Sequence, residues 1–148
     1  MKTTLFFSLL VAVLTAGALA AAPQPVTDFA KTLSAASRDQ KLAFILLGRP
    51  NCENCEATRT MIKEGKIAVT AADYVMADLN YDDPQAHDEF MHRYGKENFG
   101  NELPYVVVTD ARGAVLASGS GTQPADKWNA LLAKARRKVA AKPAAKPQ

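Results

Sequence analysis

Residues 49–55 have the sequence RPNCENC, and this stretch decides how the rest of the chain is interpreted. It holds the only two cysteines, Cys52 and Cys55, which are separated by two residues. An apolar run of strand length, residues 42–47, precedes it, and a run with helical character, residues 56–64, follows it. A buried strand, a loop and a helix that begins at a Cys-X-X-Cys pair together form the layout of a dithiol redox site.

The spacing of the two cysteines has a geometric consequence. Residues i and i+3 are neighbours on one face of a helix, with Cβ atoms about 5–6 Å apart, and a disulfide joins Cα atoms about 4.4–6.8 Å apart. One helical turn can therefore close or open the bridge with little movement. At a helix N-terminus, the unpaired N–H groups and the helix dipole favour a thiolate over a thiol. We therefore expect Cys52 to be the attacking group and Cys55, which should be less exposed, to resolve the mixed disulfide.

Residues 1–20 have the pattern of a secretory signal peptide. Lys2 supplies a positive start, residues 5–14 are apolar except for one serine, and residues 18–20 (Ala-Leu-Ala) offer a cleavage site. The apolar segment is shorter than the roughly 20 residues that span a membrane, so an uncleaved N-terminal anchor is the less favoured alternative. We expect a periplasmic or secreted protein with no stable membrane insertion after signal cleavage. Exported cysteine pairs are often structural staples, but a bridge that closes so short a loop would constrain the unfolded chain little.

The net charge of +3 is unevenly distributed along the chain. Six of the 18 basic residues fall within residues 134–146, which contain no acidic residue. Without those six, twelve basic residues face 15 acidic ones, a balance of −3, so the body of the protein is mildly acidic. Nucleic-acid binding needs a basic patch on the folded body, so we expect no nucleic-acid partner. The Lys/Ala/Pro-rich residues 140–148 have the composition of a disordered tail.

The first half of the chain is predicted to form a helix, a strand and a second helix. Residues 21–26 form a short linker that contains proline, and Thr27 or Asp28 is the expected N-cap of the first helix. The apolar run 42–47 suits a strand buried on both faces. The helix after Cys52 is expected to end at Gly65. The predicted inner faces of the two helices are Phe29, Leu33 and Ala36, and Ala57, Met61 and Ile62.

The second half begins with a strand and a capped helix and ends with a hairpin and a long helix. Asp83 followed by Pro84 is typical of an N-cap and a first helical turn, and the sequence DARG at 110–113 has turn chemistry. The predicted elements are a strand 73–80, a helix from Asp83 to Gly95, a polar connection 96–103, hairpin strands 105–109 and 114–117, and a helix 125–139. The apolar stripe of the last helix consists of Trp128, Leu131, Leu132, Ala135 and Val139.

This order of elements resembles that of the thioredoxin superfamily. The resemblance is carried by the strand, residues 52–55 (Cys-Glu-Asn-Cys) and the helix that follows, and by Leu103-Pro104 directly before the strand 105–108. The turn at 110–113 and the amphipathic C-terminal helix also match. The resemblance covers residues 27–139 and implies an α/β, thioredoxin-like fold, in which helices flank a central mixed β-sheet.

In that family, the proline before the hairpin strand is cis and lies against the Cys-X-X-Cys loop. The resemblance therefore implies a cis peptide bond between Leu103 and Pro104, although only about 5–6% of X-Pro bonds in folded proteins are cis. Pro104 would place no N–H beside the sulfurs, and the backbone of Leu103 would bind an extended substrate segment as an added strand. The alternative is that Pro104 begins an edge strand in the trans form.

The sequence departs from thioredoxins proper at several positions. Asn51 stands where they have tryptophan, and Glu53-Asn54 replaces Gly-Pro between the cysteines. Leu46 falls where their buried proton-relay acid would lie, and Thr60 where a proline kinks their active-site helix. The chain is thus more similar to divergent, exported thioredoxin-like proteins.

The resemblance implies a thiol–disulfide oxidoreductase that exchanges disulfides with exported client proteins through Cys52 and Cys55, without a cofactor. Glu53 and Asn54 are expected to modulate its redox poise, because Glu53 and Glu56 place negative charge near Cys52 and oppose stabilisation of its thiolate. Strong oxidants of this family stabilise their thiolate form, so we predict a reductant or exchanger instead. We expect a monomer that is recycled by an unidentified redox partner.

Two alternatives come from other functional classes. A four-ligand metal site would need Cys52, Cys55 and both histidines, His87 and His92. Two histidines five positions apart on one helix lie about 140° apart around its axis, so we expect no such site, although two thiolates alone can capture Cu(I). The other alternative is a non-catalytic binding module that has kept the fold.

Overall fold

The computed structural model describes residues 21–141, so the predicted signal peptide and residues 142–148 of the predicted tail lie outside the described part. In residues 21–141, no helix combines the length and the apolar character needed to cross a bilayer. The helices are α1 (Phe29–Asp39), α2 (Glu53–Lys63), α3 (Pro84–Tyr94) and α4 (Ala125–Ala140), and the strands are β1 (Leu42–Gly48), β2 (Tyr74–Asn80), β3 (Tyr105–Thr109) and β4 (Val115–Ser120). This is the predicted order of elements.

The four strands form one mixed sheet in the order β2-β1-β3-β4. β1 runs parallel to β2 and antiparallel to β3, and β3 and β4 form an antiparallel hairpin. All residues of β1 except Leu42 are buried, which explains its continuous apolar sequence. The register places Leu46 beside Asp78 of β2, and Leu47 opposite Tyr105 of β3. The ends of β1 and β2 and the start of β3 therefore meet at one edge of the sheet, where the loop to Cys52 begins.

Apolar side chains form two cores, one on each face of the sheet. Ile62 of α2 and Trp128 of α4 belong to one core. Phe29 of α1 and Phe90 of α3 belong to the other. Helices thus flank the sheet on both sides, which is the α/β arrangement that the sequence predicted, and α2 places its N-terminus at the sheet edge described above.

Two helix N-termini have the side-chain caps that the sequence predicted. Asp28 caps α1 by accepting a hydrogen bond from the backbone N–H of Lys31 at 2.8 Å, and this bond lowers the pKa of Asp28. Asp83 caps α3, with Pro84 in the first turn, by accepting from the N–H of Gln85 at 2.9 Å. Each cap satisfies a donor that the helix itself leaves unpaired.

The inner face of α2 differs from the predicted one. The buried residues are Cys55, Thr58 and Ile62, whereas Ala57 is exposed and Met61 is half-buried. The helix is rotated so that Cys55 faces the sheet, and Thr58 can be buried because its hydroxyl donates to the Asn54 carbonyl at 2.9 Å. Apolar periodicity gave the wrong phase because it counted neither the cysteine nor the threonine as core residues.

Four further predictions are corrected in the C-terminal half. Val139 is 41% exposed, because the last buried residue of α4 is Ala135, one turn earlier. The polar connection 96–103 contains a buried residue, Phe99, which stacks on Tyr105 at 4.9 Å between ring centroids. β4 is longer than predicted, since its last three residues also pair with β3. α4 itself continues to Ala140, which had been assigned to the tail.

The segment 21–26, predicted as a linker, lies along the outer edge of β2. The backbone of Val26 donates to Met76 at 2.9 Å and accepts from Asp78 at 3.0 Å, as a short parallel bridge. This bridge covers part of an edge strand that would otherwise expose its hydrogen-bonding groups.

Candidate active site

Cys52 and Cys55 lie at the start of α2 and are joined by a disulfide. Cys52 is the N-cap residue, with extended backbone angles (φ −97°, ψ 112°), and Cys55 lies in the first turn. Their Cα atoms are 5.2 Å apart, as the helical spacing predicted. The Cys55 N–H points to Cys52 Sγ at 3.2 Å. Cys52 sulfur therefore takes the place of a capping oxygen, and in the reduced protein this donor would stabilise a thiolate at Cys52.

The two sulfur-bearing residues differ in their exposure. Cys55 is fully buried, whereas Cys52 is partly exposed. An attacking group must reach a substrate, and a resolving group needs only to reach the first sulfur. The two environments are therefore those that the sequence led us to expect for an attacking Cys52 and a resolving Cys55.

Gly48, the last residue of β1, lets the strand approach the buried sulfur. A Cβ atom at this position would lie 2.9 Å from Cys55 Sγ and 3.1 Å from Leu46 Cδ2. Real Cβ atoms essentially never show a contact under 3.0 Å, and both Cys55 and Leu46 are fully buried. The sequence pattern did not indicate a role for Gly48; its place seven positions before the buried Cys55 was the available signal.

The peptide bond between Leu103 and Pro104 is cis, as the resemblance implied. Pro104 is buried and Leu103 is half-buried. Because β3 begins at Tyr105 opposite Leu47, Pro104 comes next to Gly48 along the same pair of strands. Both candidate substrate-binding residues therefore stand at the sheet edge that carries the Cys52 loop.

The loop before Cys52 is held by charged and aromatic contacts. Arg49 Nε donates to Asp82 Oδ1 at 2.8 Å, and its guanidinium lies 4.6 Å from the centroid of the Tyr81 ring. The N–H of Tyr81 donates to the carbonyl of Gly48 at 2.7 Å. Of the acids after β2, only Asp83 was predicted to have a structural role, as a helix cap, so this contact of Asp82 with the active-site loop was not predicted.

The acidic residues beside the cysteines, Glu53 and Glu56, are exposed. Both lie in the first turn of α2. Glu56 is also 3.6 Å from Arg59, one turn further along the helix. Asn54 is partly buried, and its carbonyl accepts the Thr58 hydroxyl. Part of the negative charge near Cys52 is therefore balanced by Arg59, which the sequence analysis did not consider.

The histidines lie on α3. The His87 ring packs edge-on against Tyr81, with 4.8 Å between centroids, and Nδ1 is 3.1 Å from Asp88. His92 is exposed in the last turn of α3. Across residues 21–141, no group of three or more His, Cys, Asp or Glu side chains is arranged to hold a metal ion.

No protein-family model and no curated protein sequence matches this chain. Solved structures do resemble it. They include a proposed disulphide-isomerase from Bacteroides thetaiotaomicron (TM-score 0.58, 18% identity, covering 82% of this chain and 95% of that one). A mutant thioredoxin from Halobacterium salinarum has a TM-score of 0.55 and 18% identity over 74% of this chain and 87% of its own. A structure described as DsbH oxidoreductase has a TM-score of 0.54 and 18% identity over 86% of this chain and 94% of its own.

The chain has a thioredoxin-like fold. At this level of identity the comparison establishes the architecture, and the chemistry must be argued from this chain's own residues. Within the thioredoxin-like fold, Leu46 is fully buried on β1 and cannot titrate. The charged residue nearest to it in the sheet register is Asp78, its partner on β2.

Proposed function

We propose that this protein is a thiol–disulfide oxidoreductase that works through Cys52 and Cys55. The observation that carries the proposal is the asymmetric pair at the start of α2: a partly exposed sulfur at the N-cap bonded to a fully buried sulfur one turn later. A disulfide over so short a loop contributes little as a staple, so its placement at an accessible helix N-terminus favours exchange chemistry. An oxidoreductase and a proposed disulphide-isomerase among the similar structures support the same class.

The reaction follows from the two environments. In the reduced protein, the Cys52 thiolate attacks one sulfur of a client disulfide, forms a mixed disulfide and releases one client thiolate. Cys55 then loses its proton to solvent and attacks Cys52 Sγ, which closes the Cys52–Cys55 disulfide and releases the second client thiolate. The client gains two electrons, and its two thiolates take up two protons from solvent. The protein loses two electrons, and the thiol protons of Cys52 and Cys55 have passed to solvent. Reversal of the same steps oxidises a client dithiol, and a second thiol or dithiol protein must return the lost electrons.

The proposed clients are exported proteins that carry thiols or disulfides, and the proposed location is periplasmic or secreted. Leu103 and Pro104 stand at the mouth of the hairpin beside Gly48, where an extended client segment can pair with the Leu103 backbone. The negative charge of Glu53 and Glu56 on the first turn of α2 supports a reductant or exchanger over a strong oxidant. The strongest oxidants of this class have a reduction potential of about −120 mV. A measured potential near that value would contradict the proposal that this protein is a reductant or exchanger.

Matched single substitutions test the activity. Cys52→Ser should abolish turnover of a disulfide-bonded reporter peptide with dithiothreitol as electron donor. Reduced Cys55→Ser, mixed with the same peptide without dithiothreitol, should instead accumulate a covalent mixed disulfide that is seen on a non-reducing denaturing gel and is lost when reductant is added. The control is Ala57→Ser, which adds the same hydroxyl on the exposed face of the same helix. Full turnover by Cys52→Ser would overturn the proposal and favour a binding module, and stoichiometric copper bound to reduced protein that lacks turnover would favour a Cu(I) dithiol site.

A further inference from the structure

A charged pair lies between α2 and the sheet, close to the candidate dithiol. Arg59 donates to Asp78 through two hydrogen bonds, from Nε to Oδ2 at 2.7 Å and from Nη2 to Oδ1 at 2.9 Å. Each side chain is only 21% exposed. The paired geometry is that of a bidentate Arg–carboxylate contact, which fixes the orientation of both groups. These bonds also raise the pKa of Arg59, so the guanidinium stays charged.

The pair and the buried sulfur lie on the same face of α2. Arg59 follows Cys55 by four residues on α2, so the two side chains leave the helix on the same face. Asp78 is the register partner of Leu46, and Gly48 lies two residues further along β1, on the face of Leu46. On that face a Cβ at Gly48 would contact Cys55 Sγ. A cavity of about 370 Å³ opens beside these groups and is lined by Gly48, Arg59 and Asp78 among others.

Arg59 also reaches the loop that carries the other cysteine. Its Nη1 donates to the Arg49 carbonyl at 3.2 Å, and the Cys52 N–H donates to the same carbonyl at 3.4 Å. One guanidinium therefore connects β2, α2 and the loop that precedes Cys52. The same guanidinium is 3.6 Å from Glu56, whose side chain is 65% exposed.

We propose that the Arg59–Asp78 pair sets the reduction potential of the Cys52–Cys55 dithiol, with both members acting as positioning residues. This inference rests on the proposed function, since it concerns the same two sulfurs. Reduction creates a thiolate at Cys52, whereas the disulfide is neutral. A cation beside the site stabilises the reduced form and makes the protein more oxidising, and an anion does the opposite. In the native protein, Asp78 balances Arg59 and keeps its charge from acting fully on the sulfurs.

The other charged residues around the dithiol are left unchanged in the test. Glu53 and Glu56 face solvent on α2, and Arg49 pairs with Asp82 on the opposite side of the loop. The Arg59–Asp78 pair thus offers one cation and one anion near the start of α2 that can be neutralised one at a time, although Arg59→Gln also removes the bond to the Arg49 carbonyl and the contact with Glu56.

The test uses Arg59→Gln, Asp78→Asn and the double variant, each equilibrated with a glutathione redox buffer at low ionic strength. Arg59→Gln leaves Asp78 unbalanced and should lower the reduction potential by about 30 mV, the equivalent of about tenfold in the equilibrium constant. Asp78→Asn leaves Arg59 unbalanced and should raise the potential by about the same amount. Thiolate absorbance against pH should show the Cys52 pKa rising in the first variant and falling in the second. The double variant should return to within about threefold of the native equilibrium constant, roughly 15 mV.

The controls separate electrostatics from damage to the fold. Arg38→Gln and Asp39→Asn break an exposed Arg–Asp pair on α1, on the other side of the sheet, and should leave the potential unchanged. Arg59→Lys keeps the charge but loses the two-bond geometry, so it should remain close to the native potential even if its thermal stability falls. Shifts of the same sign in Arg59→Gln and Asp78→Asn, or no shift in either, would overturn the inference.

The inference and the proposed function fail separately. The potential is measured on the cysteines with glutathione and needs no client protein. Opposite shifts in a protein that turns over no disulfide substrate would uphold the electrostatic inference and remove the proposed function. Normal turnover of a disulfide substrate by variants whose reduction potentials do not change would uphold the proposed function and remove the electrostatic inference.

Discussion

Substitution of Gly48 by alanine tests the close packing of β1 against the buried sulfur. The added Cβ would lie 2.9 Å from Cys55 Sγ, and ordinary contact begins at 3.4 Å, so one of these atoms must move by about 0.5 Å. Little space is open for this movement, because Leu46 Cδ2 would lie 3.1 Å from the added Cβ, and both Cys55 and Leu46 are fully buried. Overpacking of a buried site costs about 1–3 kcal/mol. For a domain of this size the midpoint of thermal unfolding should fall by about 4 °C for each kcal/mol.

Urea and thermal unfolding measure the loss, and the equilibrium with glutathione shows whether the sulfur has moved. Gly65→Ala is the control, since Gly65 has φ 72° and no atom within 4 Å of the added Cβ. That variant should lose about 1–2 kcal/mol through the left-handed backbone alone and keep its glutathione equilibrium. Gly48→Ala should lose stability and also change its glutathione equilibrium. A Gly48→Ala protein with native stability would refute the proposed contact between strand and sulfur.

Substitutions at three other positions probe the scaffold. Asp83→Ala removes the cap of α3 and should cost about 1 kcal/mol in urea unfolding, whereas Asp83→Asn should retain most of it; equal losses would argue against capping. Hydrogen bonding to the Lys31 N–H lowers the pKa of Asp28, so its stabilising contribution is present above the unfolded-state pKa and is lost as the pH falls through the folded-state pKa. Asp28→Asn should flatten the acid limb of a plot of unfolding midpoint against pH, and an unchanged limb would contradict this assignment. Burial raises the pKa of Tyr94 to about 12. The free energy of unfolding should therefore fall between about pH 10, the pKa of tyrosine in the unfolded chain, and pH 12. Tyr94→Phe should reduce that fall, and an identical alkaline limb in both proteins would count against this assignment.

The fold could be predicted because local signals agreed with the global pattern. The Asp28 and Asp83 caps, the buried run of β1 and the helical cysteine spacing all act over a few residues, so each appears directly in the sequence. The resemblance added the cis bond before Pro104, which no local pattern could have supplied.

The remaining features depend on contacts between distant parts of the chain. Ala57 was placed in the core because apolar periodicity does not include Cys55, whose burial sets the rotation of α2. The Arg59–Asp78 pair joins residues 19 apart, and its formation depends on the register of β1 with β2. Gly48 matters only because a sulfur approaches it after folding. Such pairings follow from strand register and helix rotation, which the composition of a single segment does not determine.

Trp128, the sole tryptophan, is 1% exposed on α4, which packs mainly against β4. β3 separates β4 from β1, so the strand under the indole lies about 10 Å from the one that leads to the cysteines. Its fluorescence should therefore follow global unfolding in the same way whether or not the sulfurs are bonded. One optical signal then gives the unfolding free energies of both redox forms. Their difference closes a thermodynamic cycle and equals, through the Faraday relation, the gap in potential between the folded and unfolded chains.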